Sequence, residues 1–139
     1  MGKSVLQKST HDCGLAVAKW ILQEFGVHEP RDLADLLGVH RAPTGVLPWT
    51  FMRVLNNLGL SCSSCLVGKN EFLETYTAIG GRIIALVIRP GESLPDHWVG
   101  AYRAKKVIRV MDPGQGYRNG WSKLRPVYLI GVLNGMRVS

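Results

Sequence analysis

The sequence lacks the features that would place the chain in a membrane or in a disulfide-stabilised secreted scaffold. No apolar run approaches the ~18 residues of a membrane-spanning helix, and the longest, residues 83–88, has the length of a buried strand. Residues 1–30 show no signal-peptide pattern. The three cysteines cannot all pair, which indicates a reducing compartment, or at least one free thiol. We therefore expect a soluble protein that acts in a cytoplasm.

Acidic residues are also scarce, with ten against 17 lysines and arginines, for a net charge of +7. Such a charge favours acidic or nucleic-acid-associated partners but does not determine the fold. The sequence contains no repeat, low-complexity tract or linker. A chain of 139 residues with 46% apolar residues suits one compact domain, and we expect that domain to span residues 1–139.

The first part of the chain has the residue patterns of helices. Apolar residues cover most of the circumference of a predicted helix over residues 12–25, which indicates burial on more than one side. Ser9, Thr10 or Asp12 can cap the start of this helix, and Gly26 fits its end. Further helices are predicted over residues 30–38, 47–59 and 69–80, with a strand over residues 60–67.

The apolar pattern changes to that of strands in the second part of the chain. Strands are predicted over residues 82–88, 97–103, 106–112 and 126–133, the middle two forming a hairpin. Helices followed by an antiparallel sheet indicate the α+β class rather than βαβ alternation. We expect a helical half of about residues 1–80 and a sheet half of about residues 81–139.

Cys13 lies in the segment QKSTHDCGLA, where the first helix is predicted to begin. A thiol attacks as the thiolate, and both a helix N-terminus and a nearby imidazolium lower the pKa of a cysteine. Acyl transfer also needs donors for its oxyanion, and the Cys13 N–H and the Gln7 side-chain amide are candidates. A Cys-Gly pair alone is more often a small buried hydrophobe. The nucleophile hypothesis therefore requires a base elsewhere in the chain.

His97 is the best candidate for that base among the four histidines. His11 is too close to Cys13 in the chain to face the thiol easily. His28 and His40 each follow a helix-ending glycine by two residues and are predicted to be surface residues. His97, in contrast, begins a predicted strand directly after the polar loop RPGESLPD.

The predicted hairpin supplies an orienting group for His97. If Ala104 and Lys105 form a two-residue turn, His97 lies directly opposite Asp112, with Cβ atoms ~4.5–5.5 Å apart. A carboxylate there can orient the imidazole and fix its tautomer. Asp112 also begins an Asp-Pro-Gly turn sequence, and both roles can hold at once. Ala-Lys is not a preferred turn pair, and one extra loop residue would change the register.

Together these segments resemble those of papain-like cysteine peptidases. More narrowly, the chain resembles the bacteriocin-processing, double-glycine peptidases that form the N-terminal domain of some peptide-exporting ABC transporters. The cysteine box of that family is similar to QKSTHDCGLAVAKWILQEFG, and its next helix to TGVLPWTFMRVLNNLGL. Its histidine and Asp-Pro boxes are similar to RIIALVIRPGESLPDHWVGAY and VIRVMDPGQG.

The resemblance implies a papain-like fold in which the catalytic cysteine begins a central helix, with no cofactor and no metal. It implies Cys13 as nucleophile, His97 as general base and then acid, Asp112 as orienting group, and Gln7 as oxyanion donor. It also implies cleavage after Gly-Gly in a protein substrate, through a narrow groove that only glycines can enter. The resemblance does not identify the residues that line this groove.

The sequence given contains no transmembrane or nucleotide-binding region, unlike an exporter. A freestanding domain of this type resembles peptidase toxins that bacteria deliver into neighbouring cells, or phage and accessory peptidases. We therefore expect an interbacterial toxin or effector that acts in the cytoplasm of the recipient cell. The expected partners are a protein with a Gly-Gly site and a cognate immunity protein, without a membrane.

Two other classes of function stay open on the residues alone. The same thiol and imidazole could serve a deamidase, a transglutaminase or an amidase, or the chain could be a non-catalytic module that binds a peptide or nucleic acid. Cys62 and Cys65 form one C-x-x-C pair, whereas a structural zinc site needs four ligands. Direct nucleic-acid binding is not expected, because no known motif accompanies the basic residues, which are Arg103, Lys105, Lys106, Arg109, Arg118, Lys123, Arg125 and Arg137.

Overall fold

The computed structural model describes residues 13–39, 45–66 and 70–134. The helices in these ranges are α1 (Cys13–Glu24), α2 (Leu33–Leu37), α3 (Pro48–Asn57) and α4 (Asn70–Ala78). The strands are β1 (Leu60–Leu66), β2 (Arg82–Ile88), β3 (His97–Ala104), β4 (Val107–Asp112), β5 (Gly116–Asn119) and β6 (Arg125–Asn134). None of the helices in the described ranges is long and apolar enough to cross a membrane.

The strands form one sheet in the order β1-β6-β2-β3-β4-β5, and all neighbouring strands are antiparallel. β2 to β5 follow one another as a meander, and β6 then returns to lie between β1 and β2. The predicted α+β class is therefore confirmed. β2 has the predicted bounds, while the four-residue strand β5 follows the Asp-Pro-Gly turn in a segment where no strand was predicted.

Helix α1 is the central helix of the domain and lies against β3. Buried residues cover most of its surface, among them Val17, Trp20 and Ile21, which confirms the predicted burial on more than one side. A Cβ atom at Gly100 of β3 would overlap the Trp20 ring, so this glycine allows the helix and the strand to approach closely. Gly26 takes a φ of 65° just beyond the helix, at its predicted end.

Polar contacts also fix α1 on the sheet. The Arg82 Nε–H donates to Glu24 Oε1 at 2.9 Å, and the Arg82 guanidinium lies 4.5 Å from the centre of the Tyr102 ring. The Trp20 Nε1–H donates to the Tyr117 hydroxyl at 2.6 Å. These directional contacts add to the apolar packing, and they set the position of the helix that begins at Cys13.

The predicted turn of the β3–β4 hairpin is wrong by one residue. Ala104 pairs with Val107, so Lys105 and Lys106 form the turn, and Lys105 takes a left-handed φ of 58°. A left-handed residue of this kind costs on the order of 1 kcal/mol. This cost is offset by packing, because the observed register pairs the fully buried Ala101 and Val110.

The shift in register leaves every residue of the hairpin on its predicted face. Pairing has moved by two residues, and side chains alternate between faces with a period of two. By extension of the observed register, Val99 rather than His97 lies across from Asp112. His97 and Asp112 are therefore diagonal neighbours on one face, and not directly opposed as predicted.

Candidate active site

Cys13 is the first residue of α1 and is only 3% exposed. The unpaired N–H groups at a helix N-terminus give that end a partial positive charge, which favours an anion there. The Cys13 Sγ lies 3.9 Å from the backbone oxygen of Asp96, the residue before His97. The fold thus brings the thiol beside a histidine that stands 84 residues later in the sequence.

Gly14 allows the start of α1 to pack closely against its surroundings. A Cβ atom at Gly14 would lie 2.5 Å from Val46 Cγ2 and 3.3 Å from Trp98 Cδ1. Trp98 is held in turn, because its Nε1–H donates to the Val46 backbone oxygen at 3.0 Å. Cys13 and His97 are therefore each followed by a residue that packs against Val46, and this contact links the two candidate site residues.

His97 begins β3 and Asp112 ends β4, and both are buried, with 4% exposure each. The His97 Nε2–H donates to Asp112 Oδ1 at 2.8 Å. This bond uses one ring nitrogen and leaves Nδ1 for the thiol. The structure thus brings together three of the predicted site residues: Cys13, His97 and Asp112.

The pKa of His97 is raised by its partners. Burial acts to lower it, because desolvation penalises the imidazolium. The hydrogen bond and the charge of Asp112, together with the same two influences from Cys13, outweigh burial and raise the pKa of His97 to about 9. The geometry therefore favours an imidazolium at neutral pH, in contact with a carboxylate on one side and a sulfur on the other.

Asp112 is held by more than the histidine. Its Oδ1 also accepts the Gly114 N–H at 2.9 Å, and its Oδ2 lies 3.4 Å from an Arg118 nitrogen. Burial alone would raise the pKa of this carboxyl, but the hydrogen bonds from His97 and Gly114 and the charges of His97 and Arg118 lower it below its ordinary value. Asp112 thus closes the turn and contacts His97 at the same time.

Several residues considered in the sequence lie outside the described ranges. They include Gln7, the candidate oxyanion donor, and the candidate helix caps Ser9, Thr10 and Asp12, together with His11 and His40. His28 is described and is exposed, as predicted.

The Cys62–Cys65 pair lies on β1, where residues three apart have Cα atoms ~10 Å separated, too far for a disulfide. Cys62 is a free thiol, and burial raises its pKa to about 12, so it stays protonated at neutral pH. Within the described ranges no group of three or more His, Cys, Asp or Glu residues could hold a metal ion.

The basic residues of the hairpin region have partners of their own. Arg103 donates to Glu74 Oε1 at 2.7 Å, and Arg109 donates to Asn119 Oδ1 at 2.7 Å while lying 5.2 Å from the centre of the Tyr117 ring. Arg118 contacts Asp112. In the sequence, Arg118 is only one of several basic residues. A predicted strand at β5 would have been the signal that Arg118 shares a face with Asp112.

A cysteine at the start of a helix that packs on an antiparallel sheet, beside a histidine–carboxylate pair at strand ends, is the arrangement expected of a cysteine peptidase with a papain-like fold. The model of the Peptidase C39 family matches residues 2–120. This is most of the chain, and the chain therefore belongs to the Peptidase C39 family. The protein is a cysteine peptidase, as the sequence predicted. A comparison with curated proteins gives no match.

Several solved structures have a similar fold. A double glycine motif protease from an AMS/PCAT transporter, solved in complex with the leader peptide, aligns with a TM-score of 0.72 and 16% identity, covering 94% of this chain and 91% of that one. The peptidase domain of Streptococcus ComA, a bifunctional ABC transporter involved in a quorum sensing pathway, aligns with a TM-score of 0.70 and 19% identity, covering 94% and 96%. The peptidase domain of Streptococcus mutans ComA gives a TM-score of 0.62 at 16% identity, covering 95% and 99%. At these identities the similarity establishes the papain-like fold.

Proposed function

We propose that this peptidase cleaves the bond after a Gly-Gly pair in a protein substrate, with Cys13 as nucleophile. The observation that carries the proposal is the position of the Cys13 thiol at the start of α1, beside a His97–Asp112 pair joined at 2.8 Å. The specificity is supported by the similar solved structure, which is itself a double glycine motif protease. Two adjacent glycines present no side chain, so a narrow groove can admit them and exclude other residues.

The proposed acylation step begins with attack of the Cys13 thiolate on the carbonyl carbon of the second glycine. The carbonyl electron pair moves to the oxygen, and the Cys13 N–H and the Gln7 amide stabilise this oxyanion. The His97 imidazolium then gives its proton to the leaving nitrogen as the C–N bond breaks. A thioester remains on the enzyme, and the product with the new N-terminus departs.

Deacylation reverses the role of His97. The neutral imidazole takes a proton from water, which attacks the thioester carbonyl, and the Cys13 sulfur leaves as the thiolate. Asp112 keeps the ring oriented through its hydrogen bond to Nε2 and stabilises the imidazolium after each proton transfer. In this scheme the imidazolium–thiolate pair regenerates for the next cycle.

The interbacterial toxin or effector role is a further part of the proposal and rests on the sequence resemblance. The described free thiols, Cys13 and Cys62, suit a reducing cytoplasm. Production of the wild-type protein in a bacterial cytoplasm should arrest growth, whereas Cys13→Ala should not, and a cognate immunity protein should restore growth. Equal, harmless production of both proteins would contradict this role.

The reaction is tested by mapping new protein N-termini in a bacterial lysate treated with the wild-type protein or with Cys13→Ala. New N-termini that follow Gly-Gly, present only with the wild type, are the expected result. Cys62→Ala is the matched control. The Cys62 thiol is protonated at neutral pH, so its removal should leave cleavage unchanged. Glutamine deamidation or crosslinking without new N-termini would instead indicate the deamidase or transglutaminase alternative, and identical samples would refute catalysis by Cys13.

A further inference from the structure

Arg118 lies behind the His97–Asp112 pair as seen from Cys13. On β5, Arg118 is across from Val110, and Gly116 is across from Asp112. Residues two apart on a strand share a face of the sheet, so Arg118 is the diagonal neighbour of Asp112 on the next strand. The side chain is 23% exposed, which is low for an arginine at the edge of a sheet.

The contacts of the Asp112 carboxylate are divided between its two oxygens. Oδ1 accepts from His97 at 2.8 Å and from the Gly114 N–H at 2.9 Å, whereas Oδ2 lies 3.4 Å from Nη2 of Arg118. The same Arg118 nitrogen donates to Gln115 Oε1 at 2.5 Å. Gln115 therefore holds the guanidinium, and the guanidinium lies at the oxygen that His97 does not use.

We propose that Arg118 is a positioning residue, which keeps the Asp112 carboxylate ionised and turned with Oδ1 toward His97. The inference rests on the proposed function, because it gives Arg118 a part in the same Cys13–His97–Asp112 site. Arg118 acts through Asp112 and contacts neither the thiol nor the imidazole in the described contacts. It is therefore not itself a catalytic residue.

The physical argument concerns a buried carboxylate whose two strong hydrogen bonds, from His97 and Gly114, both fall on the same oxygen. Such a group can rotate about its last side-chain bond or take up a proton, and either change weakens its bond to the imidazolium. A cation at the second oxygen opposes both changes, because it attracts the ionised form and fixes the plane of the carboxylate.

The titratable and charged groups near the His97–Asp112 pair come from several elements. His97 faces Asp112 from β3, Arg118 from β5, and Cys13 of α1 lies beyond the imidazole. Asp96, in the loop before β3, is paired with Arg89 at 3.1 Å. Among these groups Arg118 is the one whose charge acts directly on Oδ2.

The test compares Arg118→Met, which removes the charge, with Arg118→Lys, which keeps it. Arg103→Met is the matched control, because Arg103 also pairs with a carboxylate, Glu74, but at the far end of β3 from His97. The pKa of Asp112 is followed by NMR of its carboxyl carbon. Values of kcat and KM are measured on an internally quenched peptide that contains Gly-Gly, and circular dichroism checks that each variant is folded.

In Arg118→Met, we expect the pKa of Asp112 to rise and kcat to fall about tenfold with KM within about twofold, because a misaligned base slows chemistry more than binding. Arg118→Lys should recover most of both effects, and Arg103→Met should change neither. Should Arg118→Met fail to fold, Arg118→Gln replaces it and should raise the pKa of Asp112 in the same way.

The proposal is overturned if Arg118→Met keeps the wild-type kcat and the wild-type titration of Asp112. It is also overturned if Arg103→Met loses as much kcat, since the loss would then be a general effect on the sheet. Failure of the proposed function gives a different result, namely a wild type no more active than Cys13→Ala. The Asp112 titration does not require activity, so it still decides the role of Arg118 in that case.

Discussion

Asp112→Asn is the substitution that removes the carboxylate charge while keeping the shape of the side chain. An asparagine oxygen can still accept from the His97 Nε2–H and the Gly114 N–H, so the geometry at both contacts can persist. The charge that holds the imidazolium is lost, whereas burial continues to disfavour it. We therefore expect the pKa of His97 to fall from about 9 to near its ordinary value of 6.5, because burial then opposes the remaining influence of Cys13.

The size of the effect follows from these two values. At pH 7.5 the protonated fraction of His97 then falls from about 97% to about 9%, which corresponds to roughly 3 kcal/mol of lost stabilisation of the imidazolium. If the imidazolium–thiolate pair is the reactive form, kcat/KM at this pH should fall about tenfold. The basic limb of the pH–rate profile should move from about pH 9 to about pH 6.5, because a histidine with a raised pKa loses its proton only as the pH passes that pKa.

The assay combines an NMR titration of the His97 ring with the pH dependence of Gly-Gly peptide cleavage. Glu74→Gln is the matched control, because it also removes one negative charge but from the carboxylate that pairs with Arg103. This control should leave the titration of His97 in place. The reasoning is refuted if His97 in folded Asp112→Asn still titrates near pH 9, or if the basic limb of cleavage does not move.

Two further predictions concern close packing around α1. Gly14→Ala should lower kcat at least about tenfold, because the added methyl meets Val46 Cγ2 at 2.5 Å and displaces Cys13. The double variant Gly14→Ala with Val46→Ala should recover part of that loss in kcat. No recovery would contradict the proposed clash. Gly100→Ala should destabilise the domain by roughly 3 kcal/mol, since its methyl would overlap the buried Trp20 ring; a thermal unfolding midpoint unchanged within ~2 °C would contradict this.

The helices and most strands could be predicted because the pattern of apolar residues in the chain is strong. α1 and β2 are buried on more than one side, and their near-continuous apolar residues fixed the type of each element, the bounds of β2, and the end of α1 to within one residue. β5 has four residues, only one of them buried, and it follows a turn. Its strand conformation comes from pairing with β4, which no local pattern reveals.

The His97–Asp112 contact could be predicted because it depends on which face of the sheet each residue occupies. The predicted turn residues were wrong, but a register error of two residues leaves each side chain on the same face. His97 and Asp112 are therefore in contact as diagonal neighbours, although they are not directly opposed. The register itself could not be predicted, because it depends on how Gly100 packs against Trp20 of α1 and how Ala101 and Val110 pack in the apolar cluster that Tyr76 of α4 borders. The role of Gln7 stays a prediction.

The contact of Arg118 with Asp112 could not be predicted, because it requires the position of β5 beside β4. In the sequence, an arginine among other basic residues has no feature that separates a solvated side chain from one turned toward a carboxylate. Arg103 and Arg109 illustrate the same point, since each has a partner that is distant in sequence or on a neighbouring strand.

The return of β6 to a place between β1 and β2 has a consequence for how the domain folds. The meander that carries His97, Asp112 and Arg118 pairs only strands that are neighbours in the chain, so it can form from local contacts. β1 has no partner in the sheet until β6 arrives, and their pairing joins Leu60 to Asn134. Contacts between such distant residues form slowly. During synthesis, His97 and Asp112 can thus come together first, while the sheet described here is completed only after residue 134 has emerged from the ribosome.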